Sequence, residues 1–133
     1  MRAATMSQGG LKGALLFDAA ATAAMGGLLV AAAGPLTGML GMPAGLLRWA
    51  GLVLVPFAAV LAWMGTRPRV APGAAWAIIG CNVLWAADSA ILLLSGWVHP
   101  TLLGTAFVLV QGAAVAAFAW MEHATLRRAL AAA

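Results

Sequence analysis

Charge is what this sequence has least of. Lys, Arg, Asp and Glu make up 8% of its 133 residues, against roughly 25% in soluble globular domains, which excludes a chain kept in water by a charged surface. The shortage is sharpest among acids, of which there are three: Asp18, Asp88 and Glu122. A single cysteine, Cys81, excludes an internal disulfide and a thiolate-rich metal site. No G-x-x-x-x-G-K-[ST], H-E-x-x-H or C-x-x-C motif occurs, which argues against an enzyme. The net charge of +4 does not point to nucleic acid, because seven basic residues scattered between apolar runs make no phosphate-binding face.

What is there is apolar. Hydrophobic residues reach 65% and the mean hydropathy is +1.03, so the solvent is a lipid bilayer. Four runs, about 12–34, 46–65, 74–96 and 101–121, each approach the ~20 residues a helix needs to cross ~30 Å of hydrocarbon. The breaks GPLTGMLGMPAG (34–45), TRPRVAPG (66–73) and SGWVHPT (95–101) combine glycine with proline. Barrel strands would alternate in polarity, and a lone spanning segment must satisfy its own backbone, so the runs are read as helices. The expected fold is an all-α membrane protein, a single four-helix transmembrane domain over 1–133 in up-down-up-down order.

Arg2 and Lys12 precede the first run, Arg67 and Arg69 lie between the second and third, and Arg127 and Arg128 follow the fourth; the other connections hold only Arg48. That bias places both termini in the cytoplasm. Trp49, Trp63, Trp76, Trp97 and Trp120 fall near helix ends, where interfacial belts put them, and Trp85 alone is deep. Asp18 inside the first run argues against a cleaved leader.

Helix association in lipid relies on close backbone approach through small residues. The first run supplies Ala19, Ala23, Gly27 and Ala31 at four-residue spacing; the fourth supplies Gly104, Gly112, Ala113, Ala116 and Ala117. Both rows are expected to be helix contacts, internal or against a second protein. Pro56 removes one backbone donor from the second run and is expected to kink it.

On a helical wheel of the third run, Asn82, Trp85, Asp88, Ser89 and Ser95 share one arc of about 140° with Cys81. A carboxylate at mid-membrane costs about 2.5 to 3.5 kcal/mol even on insertion scales, so Asp88 is expected to face the interior with a partner or to be protonated. Three partners are in reach: Arg48 at the start of the second helix, Gln111 at similar depth on the fourth, and Asn82. Two readings of this cluster of Asp88, Asn82, Gln111, Arg48, Ser89 and Trp85 follow: a clamp that fixes helix order, or a site that exchanges a proton or neutralises a cation. Asp18 is read as a residue near the cytoplasmic end, and Cys81 as a small buried filler. His99 and His123 fall on opposite sides of the membrane, so no metal or haem is expected in one chain.

The segment from Asn82 to the Leu126-Arg127-Arg128 ending resembles a group of small bacterial four-helix integral membrane proteins. The resemblance is carried by Asn82, Leu84, Trp85, Ser89, Gly96, Pro100, Leu103, Gly104, Phe107, Val108 and Gln111. It implies the bacterial inner (plasma) membrane and the same topology, and no activity.

The expected function is a non-catalytic accessory or assembly subunit, without cofactor, packing against another membrane protein or as a homo-oligomer. The alternative is a homo-oligomeric small permease or proton-coupled carrier using Asp88, which should carry a second coupled charge on the same path. A further alternative is a quinone- or pigment-binding subunit using Trp85, Gln111 and His99.

Overall fold

The computed structural model describes residues 2–133, with side chains from residue 8 onward; the side chain of Arg2, counted above among the cytoplasmic charges, lies outside the described residues. Five helices follow in order: α1 (Arg2–Ala31), α2 (Ala33–Leu40), α3 (Ala44–Gly65), α4 (Pro72–Ser95) and α5 (Leu102–Ala131). Four segments are long and apolar enough to cross a membrane: Gln8–Ala31, Ala44–Gly65, Pro72–Ser95 and Leu102–Ala131.

Two boundaries differ from expectation. The stretch read as a break over 34–45 contains α2. Pro35 lacks the N–H that would reach the carbonyl of Ala31, so the ladder of α1 stops there; proline is tolerated in the first turn of the helix that follows. Gly41 then ends α2 in the left-handed region, φ 68°, with its N–H on the Thr37 carbonyl. At the other end of the chain, α5 runs on to Ala131 instead of stopping at Met121, because EHATLRRALA contains no glycine or proline and consists largely of good helix formers. Pro56 sits on an exposed face of α3, which continues through it as one helix.

α1 and α3 bury residues in steps of three and four, the spacing of helices packed at a shallow angle. On α3 these are Leu47, Gly51, Leu54, Ala58, Leu61 and Gly65. On α1 they include Leu11, Leu15, Asp18, Thr22, Gly26 and Leu29. α1 packs against both α3 and α5, α4 packs against α5, and α2 fits between α3 and α5.

The α1–α3 seam is tightest where glycines meet. A Cβ on Gly51 would lie 2.7 Å from the Gly26 carbonyl oxygen and 2.9 Å from the Val30 nitrogen, and one on Gly65 would lie 2.7 Å from Leu16. Ala23, Gly27 and Ala31 are exposed, while Ala19 is buried. The expected row leaves the contact because a strict four-residue step advances 400°, a drift of about 120° over three steps. Gly104 and Gly112 of the α5 row are buried; Ala113, Ala116 and Ala117 are exposed.

Thr101 locks α2 to α5. Its N–H donates to the Leu40 carbonyl at 3.0 Å, and its hydroxyl donates to the Met39 carbonyl at 2.7 Å while accepting from the Gly104 N–H at 3.1 Å. Carbonyls orphaned at the end of one helix and an amide orphaned at the start of another are thus satisfied by one residue.

Gly51→Val should force α1 and α3 apart and lower stability by about 1 to 3 kcal/mol, whereas Gly27→Ala, with nothing within 4 Å of its Cβ position, should stay within about 0.5 kcal/mol of wild type. Chemical denaturation in detergent micelles, followed by helical circular dichroism, measures both.

Candidate functional site

Polar side chains in the bundle gather into two groups along the α4–α5 seam. The deeper one joins three helices. Asn82 Nδ2 on α4 donates to Asp18 Oδ2 on α1 at 2.8 Å and to Glu122 Oε2 on α5 at 3.1 Å. Thr22, one turn along α1 from Asp18, donates its hydroxyl to Asp18 Oδ1 at 2.8 Å. Asp18 and Glu122 are each 1% exposed and Asn82 4%. The fourth carboxyl oxygen, Glu122 Oε1, is buried without a partner.

The placement follows from local structure. Asp18 stands three residues beyond Leu15 and four before Thr22, on the stripe that α1 turns inward; Glu122 stands between Ala119 and Leu126 on that of α5. Both belong to, or border, the apolar core of Leu11, Leu15, Leu61, Ile78 and Leu126. No cationic side chain takes part in the hydrogen bonds that hold the two carboxyls. Two like charges this close in a low-dielectric interior would repel strongly. The set is two buried carboxyls held on one amide, with one oxygen unpartnered.

The second group lies about two turns along α4. Trp85 Nε1 donates to Gln111 Oε1 at 3.0 Å, Gln111 Nε2 donates to Ser89 Oγ at 2.8 Å and to the Val108 carbonyl at 3.0 Å, and Ser89 Oγ donates to the Trp85 carbonyl at 2.8 Å. Gly112 gives room for it, since a Cβ there would lie 3.4 Å from that of Ser89.

The expected cluster is therefore divided. Trp85, Ser89 and Gln111 are brought together; Asn82 faces Asp18 and Glu122 instead; Asp88 and Arg48 are both exposed. Asp88 misses the interior because the buried stripe of α4 centres on Asn82, Trp85 and Ser89, which leaves position 88 about 100° to one side. Cys81 is exposed for the same reason. A first helix beginning near Lys12 would leave Asp18 near an interface; α1 starts earlier, which moves Asp18 inward. Glu122 falls one residue beyond the apolar run that ends at Met121, so hydropathy alone does not reach it. The signal that finds both is the three-and-four stripe, which passes through positions 18 and 122 as it does through leucines.

Two clefts flank these groups. One of about 350 Å³ holds Asp88, Ser89 and Gln111. The other, of about 450 Å³, includes Thr22 in its wall, one hydrogen bond from Asp18. Met25, Leu54, Trp85, Phe107 and Gln111 line both and so form the partition between them. His99 is exposed, and His123 stacks edge-on against Trp76 with centroids 5.4 Å apart. Among the described residues no three His, Cys, Asp or Glu side chains are grouped to hold a metal ion.

No protein-family model, curated protein or solved structure matches this chain.

Asn82→Leu should leave both carboxyls without their common donor and destabilise the bundle by about 2 kcal/mol. Glu122→Gln places a donor where an oxygen stood unpaired and removes a charge, so it should preserve or raise stability. Denaturation midpoints in micelles decide; no loss in Asn82→Leu would show that the carboxyl pair needs no donor.

Proposed function

We propose that this chain is a small proton-coupled carrier of the bacterial inner membrane, an up-down-up-down bundle with both termini and the α3–α4 connection in the cytoplasm, acting as a homo-oligomer and not as an enzyme. The observation that carries the reading is the Asp18–Asn82–Glu122 set, two carboxyls buried on one amide. A clamp that only fixed helix order would be served by one carboxyl and one amide; a second carboxyl adds repulsion unless a proton is held. Intramembrane acids of this kind mark proton routes.

The carrier reading requires a second coupled charge, and Asp88 lines a cleft separated from that of Thr22 by one layer of side chains. The orientation is supported by Arg67 and Arg69 at one end of the bundle together with Arg127 and Arg128, against Arg48 alone at the other. Oligomerisation is supported by exposure: no more than 33% of any span's apolar window is buried, and four helices of this length enclose little space.

A second reading, an accessory subunit on a larger membrane complex, is favoured by the exposed Ala23, Gly27 and Ala31 of α1, a small-residue face without a partner in this chain. A quinone is disfavoured, because Trp85 Nε1 and Gln111 Nε2, the donors it would need, are already engaged.

Reconstituted in vesicles with an imposed pH gradient, the wild type should move protons, and Asp18→Asn and Glu122→Gln should each abolish this while leaving abundance and helicity unchanged. Infrared difference spectra should show a protonated-carboxyl band that disappears in the double variant. Proton movement at the wild-type rate in both variants would reduce the set to a clamp, and native mass spectrometry that finds a foreign subunit would favour the accessory reading.

A further inference from the structure

The cleft that holds Asp88 lies between α3 and α4, two helices that share a core near their short connection, through Leu61, Met64, Ala75 and Ile78, and leave an opening farther along. Its floor comes from α1 and α5, through Met25, Leu29, Phe107 and Val108. At about 350 Å³ it is within the 300 to 1,000 Å³ common for small-molecule sites.

Its polar inventory is nearly closed. Gln111 accepts from Trp85 and donates to Ser89 and Val108, and the Ser89 hydroxyl donates to the Trp85 carbonyl. Asp88 takes no part in these bonds, and no lysine, arginine or histidine lines the cleft. A ligand would thus meet an apolar surface and one uncompensated carboxylate. An anion finds no donor there, and a neutral acceptor finds none free. The aromatic rings of Trp49, Trp85 and Trp97 border the same space, with Trp49 and Trp97 68% and 83% exposed, and indole faces attract cations.

We propose that this cleft binds an amphiphilic organic monocation, an ammonium or phosphonium centre on an apolar body, with Asp88 as the counter-charge. As the substrate of the carrier the ligand rests on the function proposed above; as a ligand of the cleft it does not. A carboxylate at this position, about 10 Å along α4 from Ser95, is costly when unpaired in hydrocarbon. A bound cation removes that cost, and its apolar body covers the exposed walls.

The test is equilibrium dialysis of tetraphenylphosphonium against the protein in maltoside micelles at fixed pH. Wild type should bind it saturably, Asp88→Glu should retain binding, Asp88→Asn should weaken it at least about tenfold, and uncharged triphenylphosphine oxide should bind at least about tenfold more weakly than the cation. Trp97→Leu should weaken binding about threefold. Asp88 is exposed, so its variants should fold, and circular dichroism checks that they do. Absence of saturable binding to wild type, equal binding to Asp88→Asn, or equal binding of the neutral analogue overturns the proposal. Binding that appears only after Arg48→Ala would assign Asp88 to a contact between copies and would overturn it too. Wild-type protein that binds the cation but moves no protons would defeat the carrier reading alone.

Discussion

A spanning helix satisfies its own backbone, so in hydrocarbon the polar contacts that choose one helix arrangement over another come from side chains. Here that choice turns on the amide of Asn82. Its nitrogen reaches α1 and α5 at once, and any shift of α4 along its axis by one residue, about 1.5 Å, would break both bonds. Apolar stripes leave such shifts cheap, because leucine packs nearly as well against lipid as against leucine. The glycine contacts of α1 with α3 act differently, setting how close two helices come through Gly26, Gly51 and Gly65. Closeness and register are thus specified by separate residues.

The four spanning helices are readable from composition alone, because ~20-residue apolar runs have few other solutions. The tryptophans mostly sort as their positions suggest: Trp49, Trp63, Trp76 and Trp97 are exposed near helix ends and Trp85 is hydrogen-bonded inside, while Trp120 is exposed within the extended α5. The site is only half readable. Polarity draws attention to Asp88, yet in a membrane helix polarity says that a residue needs explaining and the stripe of buried neighbours says where it points. Asp18 and Glu122 lie on that stripe and Asp88 beside it. That Asn82 serves two carboxyls from different helices is hidden for another reason: α1 and α5 pair across nearly the whole chain, and no local pattern announces such a pairing.

Of the two polar groups, one sets the Asn82 amide of α4 against carboxyls of α1 and α5, and the other, from Trp85 to Ser89, engages its side-chain donors with α5 and with α4 itself. The second set, through Trp85 and Gln111, belongs to the partition between the two clefts. In the carrier proposed above, one chain would hold a site for a proton, a site for an organic cation, and a thin wall between them.

Asp18 and Glu122 stand about 100 residues apart, which at about 5 to 20 residues per second separates their synthesis by about 5 to 20 seconds. Asn82 follows Asp18 by 64 residues, so for more than half of that interval the first helix has neither Asn82 nor Glu122 beside it. A nascent chain laterally released early would carry a lone carboxyl into lipid, so the first helix has reason to linger beside the insertion machinery until the last one emerges. The joint made by Thr101, which fastens the end of α2 to the start of α5, then closes the assembly from the opposite side, making the final helix the one that completes both halves of the bundle.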